Sequence, residues 1–339
     1  MHYLSKDKVL KFAGFLIILT SCISEKHKSS SEISENAVLE ETKLQYARGF
    51  SIKYYKNEIK LRVQNPWQGA ENISFDYYLT LSENPESTHI RIPVQRAVVL
   101  STTHIPFFQI LKETSCIIGV ANSQWVNNQQ IRQQLQSGKT IDIGNDRNLN
   151  YELLASLNPD VVFLYGIGSE NLQVVNKLKD LGIPAVFIAE YLERHPLGKA
   201  EWLKFVSCFF GKEPEAQQIL DTVFSEYHHY CEMTKNISNH PKILTGLTWK
   251  NTWWFPGENS YAAQLISDAG AELLISGKNS HEAIPLNLEA VSKKAEKADF
   301  WINCGAAGSR KEILSVDERM ADFKIFKTGN IYNNNARSE

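Results

Sequence analysis

The sequence predicts an α/β protein in which two lobes flank one long helix, with a small β-rich extension before them. Two observations predict this class. Short apolar runs alternate with segments of helical periodicity from residue 96 to about residue 190, and the alternation resumes after Pro241. Between these parts, residues 199–235 carry helical periodicity without a strand pattern. Because strands that alternate with helices are typical of parallel sheets covered by helices, each alternating part is expected to fold as one lobe.

The β-rich extension is assigned to residues 45–95. Residues 50–54 and 59–63 alternate apolar with polar side chains, and residues 75–81 add another candidate strand. Alternation with a period of two is typical of strands that bury one face. We therefore predict a small antiparallel unit of about three strands.

The first lobe is assigned to residues 96–196. Its strands are predicted from runs that are apolar throughout, which suit strands buried on both faces. The predicted strands cover residues 96–100, 117–120, 160–165 and 183–188. Helical spacing predicts helices over residues 105–111, 149–157 and 172–181, and Gly182 ends the last of them.

The bridging helix is assigned to residues 197–239 and the second lobe to residues 240–339. Apolar residues recur at helical spacing from Trp202, and Gly211 interrupts the stripe. From Ala216 to Cys231 the stripe resumes and predicts a helix of about 30 Å, long enough to cross a domain. In the second lobe, strands are predicted over residues 242–246 and 299–303, and helices over residues 261–269 and 288–295.

The first 21 residues resemble a secretory signal peptide, with lysines before an apolar run and small residues before Cys22. The run is far shorter than the roughly 18 residues that a membrane-spanning helix needs. A cysteine in this place resembles a bacterial lipobox, which would make Cys22 the lipid-bearing first residue of the mature protein. The alternative is a chance cysteine behind an ordinary signal peptide. Residues 22–44 are polar and are expected to form a flexible tether.

The composition excludes several classes of function. The chain has 339 residues, a formal net charge of -2 and 43% hydrophobic residues, which suits a packed core without the basic stripe of a nucleic-acid-binding protein. The cysteines after Cys22 are widely spaced and form no CxxC motif, so a zinc site is not expected. An oxidising compartment permits a disulfide, and buried free thiols are the alternative that stays open for Cys116, Cys208, Cys231 and Cys304.

The order and spacing of several short motifs resemble one family. The motifs lie at residues 96–104, 151–162, 181–184, 211–216 and 257–271, and the second contains the pattern L-x-P-D-x-V. Together they resemble the helical-backbone periplasmic binding proteins that serve ABC transporters for iron-siderophore, haem and vitamin B12 uptake. The likeness runs from about Arg96 to Asn335. The resemblance implies two Rossmann-like lobes, one rigid connecting helix and a ligand held in the cleft between the lobes.

Two details qualify the resemblance. The extension at residues 45–95 looks like one found in a Bacteroidetes-like branch of the family. Members usually continue beyond the strand at residues 330–332 with another cleft segment and a closing helix. We therefore expect the second lobe of this chain to be incomplete.

The predicted ligand contacts are the residues that directly follow the predicted strands. In open α/β sheets, ligands bind beyond the carboxyl ends of the strands. Aromatic faces there suit a large flat ligand, and a few polar groups fix its orientation. The predicted contacts are Ser101, Thr102, Thr103, His104, Tyr165, Gly166, Glu190, Tyr191, Trp249, Trp253, Trp254, Phe255, Ser260 and Asn303. A hydrogen-bonded loop histidine is the alternative to a metal-ligand role for His104, and no metal site or cofactor is predicted.

The resemblance implies that the protein captures a metal chelate, such as a ferric siderophore, haem or a cobalamin, and delivers it to an inner-membrane ABC permease. The protein is expected to be a monomer that is lipid-anchored at the periplasmic face of a bacterial membrane. Glu152 and Glu289 each open a helix of their own lobe, where the helix dipole stabilises an acidic side chain. In the resembled family, one such glutamate in each lobe docks with arginines of the permease.

Two other classes of function stay open. One is a surface lipoprotein that serves as a scaffold, whose cleft would be filled by its own side chains. The other is a hydrolase with Glu190 as base, although the sequence contains no GxSxG, HExxH or P-loop motif.

Overall fold

The computed structural model describes residues 37–83, 85, 88–145, 148–166, 168–169 and 171–334. The predicted signal peptide and Cys22 lie outside the described residues. The two-lobed α/β architecture predicted from the sequence is confirmed, with a parallel sheet in each lobe and an extension sheet before them. None of the helices within the described ranges is long and apolar enough to cross a membrane.

The extension is a five-stranded sheet, larger than the three strands expected. Neighbouring strands pair in chain order, antiparallel except for the last pair. The added strands are the short first and last ones, which are too brief to show a pattern. The strands are β1 (Glu40–Glu41), β2 (Phe50–Tyr54), β3 (Glu58–Gln64), β4 (Ser74–Thr80) and β5 (His89–Arg91).

The first lobe is a five-stranded parallel sheet with the order β12-β11-β6-β7-β8. Its central strands are buried along their whole length, as the continuous apolar runs predicted. The sheet strands are β6 (Ala97–Val99), β7 (Ile117–Val120), β8 (Ile141–Asp142), β11 (Val161–Leu164) and β12 (Ala185–Phe187). The helices are α1 (Ile105–Ile110), α2 (Gln129–Gln136), α3 (Tyr151–Ser156) and α4 (Asn171–Asp180), and β9 (Gly144–Asn145) pairs with β10 (Asn148–Leu149).

The bridge consists of two successive helices, α5 (Pro196–Ser207) and α6 (Glu213–Thr234). Gly211 adopts φ +63° between them, a conformation that favours glycine, and Pro214 stands in the first turn of α6. Most of α5 is buried in the first lobe, whereas α6 is the long element. At 1.5 Å per residue, its 22 residues extend over about 33 Å.

The second lobe has a four-stranded parallel sheet with the order β15-β13-β17-β18, and a separate antiparallel pair, β14 with β16. Its strands are β13 (Lys242–Thr245), β14 (Trp253–Phe255), β15 (Glu272–Leu273), β16 (Ile284–Leu286), β17 (Phe300–Ile302) and β18 (Ile331–Tyr332). Its helices are α7 (Tyr261–Asp268), α8 (Leu288–Ala295), α9 (Arg310–Val316) and α10 (Lys324–Thr328). Residues 253–255, which the sequence analysis assigned to no helix or strand, form β14.

Two hydrophobic cores correspond to two bodies. One core joins the extension, the first lobe and the bridge, and includes Phe50 of β2, Phe163 of β11 and Phe205 of α5. The other lies within the second lobe, around Trp253 and Trp301. The extension is therefore packed into the first lobe and shares its core.

Candidate functional site

The carboxyl edge of the first sheet brings together several of the predicted contact residues. Ser101 and Thr103 lie after β6, and their hydroxyl oxygens are 2.9 Å apart. The Thr103 hydroxyl donates to Oε1 of Glu190, after β12, at 3.0 Å. Nε2 of His104 lies 3.4 Å from Oε2 of Glu190, and the His104 and Tyr165 rings meet edge to face with centroids 6.5 Å apart. Thr102 belongs to the same turn of 3-10 helix as Thr103.

Glu190 is a buried residue whose side chain is an ionised carboxylate. Burial raises the pKa of Glu190, but His104, Thr103 and Lys199 together outweigh burial and hold this pKa below its usual range. Burial in turn lowers the pKa of Lys199, against the attraction of Glu190. Lys199, which the sequence prediction did not include, also places its Nζ 4.1 Å from the ring centre of Tyr261 in the second lobe.

Some buried polar atoms at both edges have no hydrogen-bond partner among the described residues. On the first lobe they are both ring nitrogens of His104 and Oε2 of Glu190, since the 3.4 Å between Nε2 and Oε2 is an ion-pair distance without hydrogen-bond geometry. On the second lobe the hydroxyl of Thr248, which follows β13, also has no hydrogen-bond partner among the described residues. Since buried polar groups are nearly always paired, such atoms beside a cleft are typical of a place where a ligand or water completes the bonding.

The loops after β11 and β12 are held together by a backbone contact. The Tyr191 hydroxyl donates to the carbonyl oxygen of Gly166. A Cβ at Gly166 would lie 3.0 Å from the Pro66 carbonyl oxygen and 3.1 Å from Cβ of Trp67. Gly166 therefore allows the extension to approach this loop closely, and Tyr191 fixes the loop from the other side.

The four predicted aromatic contacts of the second lobe divide into two buried and two exposed side chains. Trp253 and Phe255 are 0% and 1% exposed, and Trp253 donates its indole N–H to the Thr245 carbonyl at 3.0 Å. Trp254 points to the other face of β14 and is 53% exposed, and Trp249 is 66% exposed. Trp253 and Phe255 are therefore core residues here, and the exposed rings that remain available for a ligand are those of Trp249 and Trp254.

The last two predicted contacts have clear local roles. Ser260 is the N-cap of α7, and its hydroxyl accepts a hydrogen bond from the Ala263 amide at 3.3 Å. Asn303 adopts φ +54° at the end of β17, a left-handed conformation that asparagine tolerates. The backbone N–H of Asn303 donates to the Tyr332 carbonyl oxygen at 3.1 Å, so this residue helps to hold β18, the last strand of the sheet.

Glu152 and Glu289 occupy equivalent positions in the two lobes. Each stands second in its helix after an asparagine N-cap, and both caps, Asn150 and Asn287, accept the amide of the third residue along at 2.9 Å. Both glutamates are exposed. In each lobe the helix precedes a sheet strand, β11 or β17. A helix that leads into a parallel strand runs antiparallel to it, so both glutamates lie towards the carboxyl edge of their sheet.

A small cavity that the sequence did not predict lies beside the turn after β6. It has a volume of about 410 Å³ and lies between Thr102, Thr103, Gln109, Trp125 and Asn128. Trp125 follows β7 and is 68% exposed. The rule that selected the other contacts, position directly after a strand, would have found Trp125 as well.

A larger cavity lies where the extension, the first lobe and the second lobe meet. Its volume is about 860 Å³. We call it the interlobe cavity and define it by its lining residues: Gln45, Tyr46, Arg48, Gly49, Gln64, Asn65, Ala189, Leu192, Glu193, Arg194, His195, Glu258, Asn259, Gln264 and His281. This volume lies in the range of about 300–1,000 Å³ that small-molecule sites occupy. The predicted contacts Glu190 and Tyr191 stand in the same loop as the first-lobe lining residues.

The described residues do not present a resident metal centre. No group of three or more His, Cys, Asp or Glu side chains within them could hold a metal ion. The four described cysteines, Cys116, Cys208, Cys231 and Cys304, are free thiols. Burial raises the pKa of Cys116 to about 12 and that of Cys304 to about 12, so these thiols stay protonated.

Comparison with known proteins identifies the same architecture. The sequence profile of the periplasmic binding protein family matches residues 98–336. The chain is 27% identical to a protein of Methanocaldococcus jannaschii named uncharacterized lipoprotein MJ0878, over 93% of this chain and 83% of that protein. A second lipoprotein of that organism, MJ0872, is 23% identical over 94% of this chain and 86% of its own length.

Solved structures share the fold at low sequence identity. The haem-binding protein HutB of Vibrio cholerae superposes with a TM-score of 0.56 at 17% identity, over 70% of this chain and 89% of HutB. The siderophore-binding protein FhuD of Vibrio cholerae, solved with Fe³⁺-Desferal, gives 0.53 at 17% identity, over 70% and 88%. A periplasmic binding protein of Veillonella parvula gives 0.58 at 13% identity and covers 83% of this chain and 91% of its own.

Proposed function

Because the chain belongs to the periplasmic binding protein family, we propose that it is a solute-binding protein of an ABC transporter that captures a metal chelate between its lobes. The observation that carries the proposal is the interlobe cavity of about 860 Å³, which residues of both lobes line. A site between two lobes lets ligand binding change their relative position, which a permease can sense. The family is not enzymatic, so Glu190 is assigned no catalytic role.

The proposed ligand is a ferric siderophore, haem or a cobalamin. Solved structures with this fold include a haem-binding protein, a siderophore-binding protein with Fe³⁺-Desferal and a vitamin B12-binding protein, all of Vibrio cholerae. The exposed rings of Trp249, Trp254 and Trp125 lie outside the lining of the interlobe cavity, and they favour a large ligand with flat or apolar faces that extends beyond it. Thr102 and Thr103, which line the small cavity beside Trp125, supply hydroxyl groups that can orient it.

We propose delivery to an inner-membrane permease from a lipid anchor at Cys22. The curated relatives are named lipoproteins, which supports an anchor outside the cytoplasm. The equivalent positions of Glu152 and Glu289 favour a two-point contact with the permease. Assignment to a Bacteroidetes-like branch stays a prediction, since these curated relatives are archaeal. A scaffold with a vestigial cleft is disfavoured, because its own side chains would fill the space that the interlobe cavity leaves open.

Tryptophan fluorescence of the soluble form that begins after Cys22 tests the proposal. We expect saturable quenching by a ferric siderophore, haem or cobalamin. Among Trp249→Ala and Trp254→Ala, at least one variant should bind about tenfold more weakly, as aromatic anchors in a binding site do. Tyr230→Ala, an exposed aromatic of α6 outside both cavities, is the matched control. A folded protein that binds none of these chelates would refute the proposal.

A further inference from the structure

We infer that the N-terminal extension is part of the ligand site and that, with Arg194, it selects solutes that carry carboxylates. The inference rests on the proposed function and names its substrate class. Six of the fifteen residues that line the interlobe cavity belong to the extension. All six precede residue 98, where the match to the family profile begins. The features that the family shares therefore do not determine this wall of the cavity.

The cavity wall formed by residues 45–49 is fixed in place by two buried carboxylates. Glu201 of α5 accepts the amides of Gln45, Tyr46 and Ala47 at 2.8–3.1 Å. Glu193 accepts the amides of Arg48 and Gly49 at 2.9–3.1 Å. These bonds use only the backbone of the segment. The side chains of Gln45 and Arg48 thus line the cavity from a backbone that is held in place, which lowers the ordering cost of binding.

The extension also reaches the second lobe. Nε2 of Gln68 donates to Oε1 of Glu282 at 2.5 Å, next to His281 of the cavity wall. On the first-lobe side, Trp67 packs against Gly166 in the loop after β11. A ligand in the cavity therefore contacts a wall that is joined to both lobes.

Two exposed arginines of the cavity supply groups that bind an anionic ligand rich in oxygen atoms. Arg48 and Arg194 are exposed and come from two different walls. Of the two lining carboxylates, Glu193 is buried and occupied by backbone amides and by the indole N–H of Trp202 at 3.0 Å. Glu258 is exposed, lies on the second-lobe wall, and accepts the Asn279 amide through Oε2 at 3.1 Å. Because guanidinium groups bind carboxylates through two parallel hydrogen bonds, the two arginines can hold separate carboxylates of one ligand.

Amide side chains complete a polar lining. Gln45, Gln64 and Asn65 of the extension face the same space as Asn259 and Gln264 of the second lobe. Amides donate hydrogen bonds to carboxylate and hydroxyl oxygens without adding charge. A hydrocarbon ligand would leave these groups unpaired, which is costly, so the lining selects against apolar solutes.

Calorimetric titration of the soluble full-length mature chain tests this inference with four chelates and one metal-free acid. Iron(III) citrate and haem carry carboxylates, whereas ferrioxamine B and cobalamin do not, and citrate alone controls for the metal. We expect a carboxylate-bearing chelate to bind. Arg48→Gln and Arg194→Gln should each lower its affinity at least about tenfold, because each substitution removes a charge-assisted pair of hydrogen bonds. Arg91→Gln, an exposed arginine of the extension outside the cavity, is the matched control, and circular dichroism checks folding.

The outcomes separate the two proposals. The inference is overturned if the protein binds only ferrioxamine B or cobalamin. It is also overturned if a carboxylate chelate binds and neither arginine substitution weakens its binding. Either result leaves the proposed function standing. Absence of binding to all five probes overturns both. A further outcome is that citrate and iron(III) citrate bind with equal affinity and that both arginine substitutions weaken that binding. This result supports selection for carboxylates and contradicts a metal chelate as the natural solute.

Discussion

Asp76 illustrates how a single residue stabilises the extension. It faces Arg62 across the β3–β4 pair, with Nε to Oδ1 at 2.5 Å and Nη2 to Oδ2 at 2.7 Å. Lys60 adds an ion pair at 2.8 Å. The Arg62 guanidinium, against a smaller opposing effect of burial and with help from Lys60, lowers the pKa of Asp76 to about 2.

Asp76→Asn should therefore lower the free energy of unfolding by about 1–2 kcal/mol near pH 7, after allowance for solvent screening of a partly exposed group. A lowered carboxyl pKa stabilises the fold above its unfolded value of 3.8, and this stabilisation is lost as the pH falls towards about 2. Urea unfolding of both proteins across this range should show the difference shrinking. The exposed Asp322→Asn serves as control, and a difference that is constant with pH would contradict the assignment.

The aromatic triplet at residues 253–255 shows what the sequence can and cannot specify at the scale of residues. Three consecutive aromatics predict that one ring is exposed, and Trp254 is that ring. Which ring is exposed depends on the pairing of β14 with β16, since a shift of one residue exchanges the two faces of a strand. The clustering of Thr103, His104 and Glu190 was predictable, because position after parallel strands places residues on one edge.

Among the elements, helix α5 has a second function as the anchor of the extension. Glu201 is 0% exposed, accepts three backbone amides and also receives Nζ of Lys204 at 3.0 Å. Burial raises the pKa of Glu201, but the amides and Lys204 outweigh burial and lower it. The carboxylate is therefore ionised when it holds the segment.

Glu201→Gln should lower the free energy of unfolding by about 2–4 kcal/mol, because Lys204 is left buried without its charged partner. Glu226→Gln, an exposed glutamate of α6, should change it by less than about 0.5 kcal/mol. Urea unfolding measures both, and hydrogen exchange of the amides of residues 45–47 should rise only in the first variant. Unchanged protection would show that the segment is held by other contacts.

The elements that the sequence did not predict are short or have weak patterns. Helix α2 is rich in glutamine and buries only Ile131. Its N-cap was nevertheless recognisable, since the Asn128 side chain accepts the Ile131 amide at 2.9 Å. Strands β1 and β5 have two and three residues, and they form only because the longer neighbours β2 and β4 supply a template. The long apolar runs, in contrast, predicted their strands to within about two residues.

At the scale of the whole molecule, Asp268 connects the bridge to the second lobe through both its side chain and its backbone. Oδ2 of Asp268, in the last turn of α7, accepts the Tyr227 hydroxyl of α6 at 2.7 Å. The Asp268 carbonyl accepts the Thr234 hydroxyl at 2.8 Å. Because a helix resists bending more than a pair of extended strands does, the movement between lobes is expected to be small.

Under the proposed function, a small movement leads us to expect that the permease recognises the carboxyl-edge surface of both lobes. Glu152→Ala combined with Glu289→Ala should abolish stimulation of the permease ATPase by the liganded protein, while ligand affinity stays within about twofold, since exposed charges set orientation and association rate more than stability. The exposed pair Glu226→Ala with Glu232→Ala on α6 is the control. Stimulation that survives the first double substitution would remove these two glutamates from the docking surface.

The attachment of residues 45–49 through their backbone amides has an evolutionary consequence. The side chains of Gln45 and Arg48 can change without loss of these bonds, since every residue except proline offers the same N–H group. Tyr46 is different, because its hydroxyl also lies 2.7 Å from Nε2 of His228. Mutational drift can therefore alter what the cavity accepts while the architecture stays constant. A library randomised at positions 45 and 48 would sample new solute preferences on an unchanged framework, which makes this segment a starting point for designed biosensors.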